Sequence, residues 1–130
     1  MINVAVIGFG FMGITHALNI QRNKKLKLAA IITRNVEGIA SKLNEKIGNF
    51  SSGEIDAEAI KKVPAYTSLR ECLKYEKIEA VQICVHSELH FEIAREAIAN
   101  GLHVFLEKPM CLRLEEGKLL IKYAQERKVK

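Results

Sequence analysis

The residues best suited to chemistry fall at three points of this 130-residue sequence. The first is Gly8-Phe9-Gly10-Phe11-Met12-Gly13, three glycines spaced as GxGxxG directly after the apolar run Asn3 to Ile7. Between a strand and a helix, each glycine has its own task. Gly8 allows a tight turn, Gly10 leaves the backbone bare so that a pyrophosphate can approach, and Gly13 lets the helix pack closely on the strand. A helix opening at Phe11 and Met12 adds the amide groups and partial positive charge of its N-terminus, which suit a phosphate. The second point is Thr33-Arg34-Asn35, where an NAD site usually carries an acid for the ribose 2′-hydroxyl. No carboxylate stands there. Arg34 can pair with a 2′-phosphate and stack on adenine, and Thr33 can donate a hydrogen bond, so NADP is favoured over NAD. The third point is Glu107-Lys108-Pro109. Ligands of an open parallel sheet lie beyond the carboxyl ends of its strands, so Lys108 stands where a nicotinamide and a substrate would meet. An ammonium there can stabilise a developing alkoxide or help move its proton.

Strands and helices must alternate to hold these points. Asn3 to Ile7 reads as a strand buried on both faces, because its apolar residues run on without polar alternation. Phe11 to Arg22 reads as a helix with Phe11, Ile14 and Leu18 on one face. Leu26 to Thr33 is a second buried strand, and Asn35 caps a helix to about Ile47. A polar excursion follows from Gly48 to Pro64, including Ser51-Ser52-Gly53, with a short helix around Ala57 to Lys62. Ala65-Tyr66 is a short edge strand, and Ser68 to Tyr75 a helix capped by Thr67 or Ser68. Ala80 to Val85 is the fourth strand. Ser87 caps a helix running to Asn100, in which Leu89, Ile93, Ala97 and Ala94, Ile98 fall at i, i+4 spacing, and Gly101 ends it. His103 to Leu106 is the fifth strand. The last helix covers Leu114 to Arg127, with Gly117, Leu120, Ile121 and Ala124 as its packing face. The whole predicts an α/β, doubly wound parallel sheet of Rossmann type in the order 3-2-1-4-5, with helices on both faces. A sixth strand would open at Val129-Lys130.

Composition narrows the partners. With 48% hydrophobic and 27% charged residues, this is one globular domain whose core needs no disulfide or metal. Cys72, Cys84 and Cys111 form no CxxC pair and read as reduced thiols of a cytoplasmic protein. The longest apolar stretch, Val4 to Ile14, is too short to span a membrane. The net charge of +5 is scattered and not interleaved with aromatics, which argues against nucleic-acid binding and suits a polyphosphate ligand.

The sequence resembles the glucose–fructose oxidoreductase, inositol dehydrogenase and MocA-like oxidoreductases over essentially its whole length. The resemblance rests on Gly8 to Gly13, on Leu89-His90, on Gly101-Leu-His-Val-Phe-Leu106, and on Glu107-Lys108-Pro109-Met110. It implies hydride transfer between a nicotinamide cofactor and a hydroxyl-bearing carbon of a sugar, cyclitol or related small molecule. It implies that Lys108 contacts the substrate hydroxyl and the nicotinamide ribose. Glu107 would contact that ribose or orient the lysine, and Pro109 would fix the turn through a cis peptide bond. Where many members have Thr-Pro-Asn, this sequence has Val85-His86-Ser87, and His86 becomes a candidate for the cofactor's edge. His90 matches a family histidine and is a further cofactor-binding candidate. His16 and His103 receive no task. The resemblance also implies a second, C-terminal domain, absent from residues 1–130, that supplies substrate contacts, an Asp-and-His pair and a homo-oligomer interface. Without it these 130 residues support little turnover. The alternative reading is a dinucleotide-binding or sensing module that performs no chemistry.

Overall fold

A computed structural model of the chain describes residues 1–47 and 57–130. The elements run β1 (Ile2–Ile7), α1 (Phe11–Arg22), β2 (Leu26–Ile32), α2 (Ile39–Ile47), α3 (Ala57–Lys61), β3 (Ala65–Tyr66) and α4 (Leu69–Tyr75). They continue with β4 (Ala80–Ile83), α5 (His90–Ala99), β5 (His103–Leu106) and α6 (Leu114–Arg127). All strand pairs are parallel, in the order β3-β2-β1-β4-β5. This is the expected Rossmann-type sheet. Ser51-Ser52-Gly53 and the first part of the polar excursion lie outside the described residues.

The strand period of two splits the core between the two faces of the sheet. Val4 and Val6 of β1 pack with Ile14, Ala17 and Leu18 of α1 and with Leu43 of α2. Ala5 and Ile7 belong to the opposite cluster, with Ala94, Ala97 and Ile98 of α5 and Leu120 of α6. Both faces of β1 are thereby covered, as its unbroken apolar run requires. Burial of a side chain such as Ile14, fully enclosed here, contributes about 1.5–3 kcal/mol.

Several local expectations need correction. Phe11 is not part of the packing face of α1; the buried set is Gly13, Ile14, Ala17, Leu18 and Ile20. The first residue of the helix, it stays half exposed. Asn35 does not open α2 directly. Its Oδ1 accepts the N–H of Gly38 at 2.9 Å, closing a turn one step before the helix starts at Ile39. Ser87 caps nothing; Ser87–Leu89 form a 3-10 turn without a side-chain cap, and α5 begins at His90. β2 and β4 end at Ile32 and Ile83, one and two residues short of expectation. Ile121 faces outward, leaving Gly117 and Leu120 as the buried residues of α6.

Other signals hold. Ser68 Oγ accepts the N–H of Glu71 and caps α4. Gly101, at φ +75, ends α5 in the left-handed region. The carbonyl of Lys130 accepts the N–H of Val104 at 2.7 Å, so the last residue lies along the outer edge of β5. Among the described residues no helix is long and apolar enough to cross a membrane.

Candidate dinucleotide-binding site

The carboxyl ends of β1, β2 and β4 open into one cleft of about 690 Å³. Gly8, Gly10, Phe11 and Met12 form its central wall. The three motif glycines are there for different reasons. Gly8 adopts φ +90, where side chains are strained, and an added Cβ would strike the carbonyl of Cys84. A Cβ on Gly13 would drive into the carbonyl of Gly8. Both are demanded by the fold itself. Gly10 is not: it has negative φ, and a Cβ there would meet nothing within 4 Å. It is the N-cap of α1, which has no side-chain cap and no acid in its first turn. A bare backbone, an uncapped helix start and open space coincide at this residue. They fit a diphosphate, with the helix N-terminus supplying the attraction.

Toward β2, the cleft is lined by Thr33, Arg34 and Asn35. Thr33 is buried and its N–H donates to the carbonyl of Tyr66, which ties the strand end to β3. Lys42, on α2, lines the same cleft. Sequence reading missed it by treating the lysines as solvated helix faces; its place one turn into the helix after Arg34 was the available signal. Among the described lining residues the sole carboxylate is Glu96, on α5.

Toward β4, the wall consists of Cys84, Val85 and His86, with Leu89 and Ile93 beyond them. The i, i+4 spacing of Leu89 and Ile93 gives the cleft an apolar side; Ile93 also packs against the core, while His90, Ala94, Ala97 and Ile98 take the buried face. Burial pushes the Cys84 thiol up to about 11, and the charge of Glu107 adds to the shift while the neighbouring Gln82 side chain opposes it. His90 is 1% exposed and does not line the cleft. Its ring nitrogens lie 2.8 Å from the carbonyl of Pro109 and 3.1 Å from that of Val85.

Glu107, Lys108 and Pro109 follow β5, one strand further out, and do not form part of the cleft wall. The Lys108–Pro109 peptide is cis, and Lys108 is exposed. Glu107 N–H donates to the carbonyl of Ile83, anchoring the turn to β4. Its carboxylate meets His16 Nε2 at 2.6 Å and accepts the N–H of Lys108 at 3.3 Å. The His16 hydrogen bond, followed by the Lys108 N–H and the charges of both residues, holds the Glu107 carboxyl below its ordinary value against an opposing effect of burial. Seven expected residues therefore share the cleft: Gly8, Gly10, Phe11, Met12, Thr33, Arg34 and His86. Gly13 and His90 stand behind its wall, and the turn carrying Lys108 stands beside it. Among the described residues no group of three His, Cys, Asp or Glu is placed to hold a metal ion.

A family model described as "Oxidoreductase family, NAD-binding Rossmann fold" (GFO_IDH_MocA) matches residues 2–130. An uncharacterized oxidoreductase of Synechocystis sp. is 34% identical over 98% of this chain and 31% of its own length. A scyllo-inositol 2-dehydrogenase (NADP(+)) of Bacillus subtilis is 28% identical over 98% of the chain and 31% of its own. Among solved structures, GenD2 from gentamicin A biosynthesis in complex with NAD superposes with a TM-score of 0.78 at 28% identity, covering 98% of this chain and 32% of that one. The chain thus spans about a third of the length of the curated relatives it matches.

Proposed function

Because the chain belongs to the Gfo/Idh/MocA oxidoreductase family, as its NAD-binding Rossmann domain, we propose that it holds the dinucleotide for a dehydrogenase or reductase of small hydroxylated molecules. The substrate class is a sugar, a cyclitol or a related compound, and NADP is taken in preference to NAD. The observation that carries this reading is Gly10, a position kept free of a side chain at an uncapped helix start although the protein itself would tolerate one.

The residues divide the work by position. Gly10 and the start of α1 receive the diphosphate. Thr33, Arg34 and Lys42 face the adenosine ribose, where two cations, with Glu96 the sole carboxylate among the described lining residues, suit a 2′-phosphate. Cys84, Val85, His86, Leu89 and Ile93 offer a largely apolar surface to the nicotinamide half. A bound nicotinamide supplies the hydride acceptor or donor. Lys108 stands at the redox end, where its ammonium stabilises an alkoxide or holds the proton that leaves the hydroxyl. Substrate contacts and oligomer formation belong to a second domain outside these 130 residues, and the parent protein works in the cytoplasm.

Calorimetric titration with both cofactors tests the reading. NADP should bind more tightly than NAD. Arg34→Ala should weaken NADP by about tenfold to a hundredfold, the worth of hydrogen bonds to a charged group, and leave NAD nearly unchanged. Equal affinities in the unsubstituted chain would overturn the NADP assignment.

A further inference from the structure

Resting on the dinucleotide reading above, we propose that His16 is a positioning residue for the nicotinamide end of the site. Acting through Glu107, it fixes the turn that carries Lys108 against the same helix whose N-terminus receives the diphosphate. The observation is a contact across 91 residues of sequence. His16 Nε2 donates to Glu107 Oε1 at 2.6 Å, and the other carboxylate oxygen accepts the backbone N–H of Lys108 at 3.3 Å. The two side chains are 20% and 19% exposed, so the pair is shielded from most solvent competition. The His16 ring also lies against Phe105, with centroids 5.8 Å apart and planes tilted by 52°.

The opposite flank of the turn is held by a second histidine. His90, the first residue of α5, sets its ring against the carbonyls of Pro109 and Val85. The backbone on both sides of Lys108 is therefore gripped, from α1 through Glu107 and from α5 through His90. The lysine side chain itself stays exposed. A long, flexible ammonium can act on a reacting atom only if its base is held to a fraction of an ångström. Since α1 also carries Gly10 at its start, the His16–Glu107 bond puts the diphosphate site and the lysine turn on one rigid body. A contact serving stability alone would not distinguish the two halves of a dinucleotide; this arrangement does, because only the nicotinamide half reaches the turn.

The test compares two ligands on each variant: the dinucleotide bound more tightly by the unsubstituted chain, and the matching ADP-ribose (2′-phosphorylated for NADP), which lacks nicotinamide. In His16→Leu and His16→Ala, the affinity ratio of dinucleotide to ADP-ribose should fall by about threefold to tenfold, the worth of one hydrogen bond. The ADP-ribose affinity itself should stay constant. His16→Gln, which restores an N–H donor, should recover most of the ratio. The alanine variant, a good helix former, covers the case in which leucine disturbs folding. Equal weakening of both ligands, or no change in the ratio, overturns the role of His16. If the unsubstituted chain binds neither ligand, the dinucleotide reading itself falls and takes this proposal with it.

Discussion

At the scale of single residues, the motif glycines separate what the fold needs from what a ligand needs. Gly10→Ala adds a Cβ into open space at an ordinary φ, so its melting temperature should stay within the small range of an innocuous surface change. Its dinucleotide affinity should nevertheless collapse, because the methyl occupies the space a phosphate requires. Gly13→Ala should behave the opposite way. Its methyl collides with the Gly8 carbonyl, and forcing backbone apart in a packed turn costs about 1–3 kcal/mol. Thermal melts and titrations of the two variants check this; a Gly10→Ala chain that binds normally would contradict the assignment of that glycine. GxGxxG was legible in the sequence as a motif, but not this division of labour, since it depends on which carbonyl lies opposite each Cα.

At the scale of elements, the strands and their order followed from unbroken apolar runs, and the end of α5 from Gly101. The start of α5 did not. Ser87 is a favourable capping residue, yet the chain uses it in a 3-10 turn, and His90 becomes the first helical residue with its ring turned to Pro109. Nor was the His16–Glu107 bond readable, because the strand order does not say which side chain of α1 meets the turn after β5. This bond gives the turn a pH dependence of definite sign. A carboxylate held below its ordinary value stabilises the folded chain above that value, about pH 4, and the contribution disappears as pH falls through the lower folded value. The stability gap between the unsubstituted chain and Glu107→Gln should therefore persist at neutral pH and close on acidification below about pH 4. Melting curves across that range check it, and a gap that widens in acid would contradict the sign.

At the scale of the whole molecule, the proposed site lies where the strand order reverses direction around β1. The proposed diphosphate position is at the centre, the residues proposed to select the ribose at the β2 side, and the lysine turn beyond β4 on the other. A dinucleotide laid across this edge would meet the three sequence points in the order Arg34, Gly10, Lys108. Nitrogen-15 NMR during a dinucleotide titration follows this most directly. Amide signals of residues 8–13 and 33–34 should shift together along one saturation curve, while those of α6 stay in place. A saturating curve confined to other parts of the chain, or no saturable shift in residues 8–13, would contradict the account.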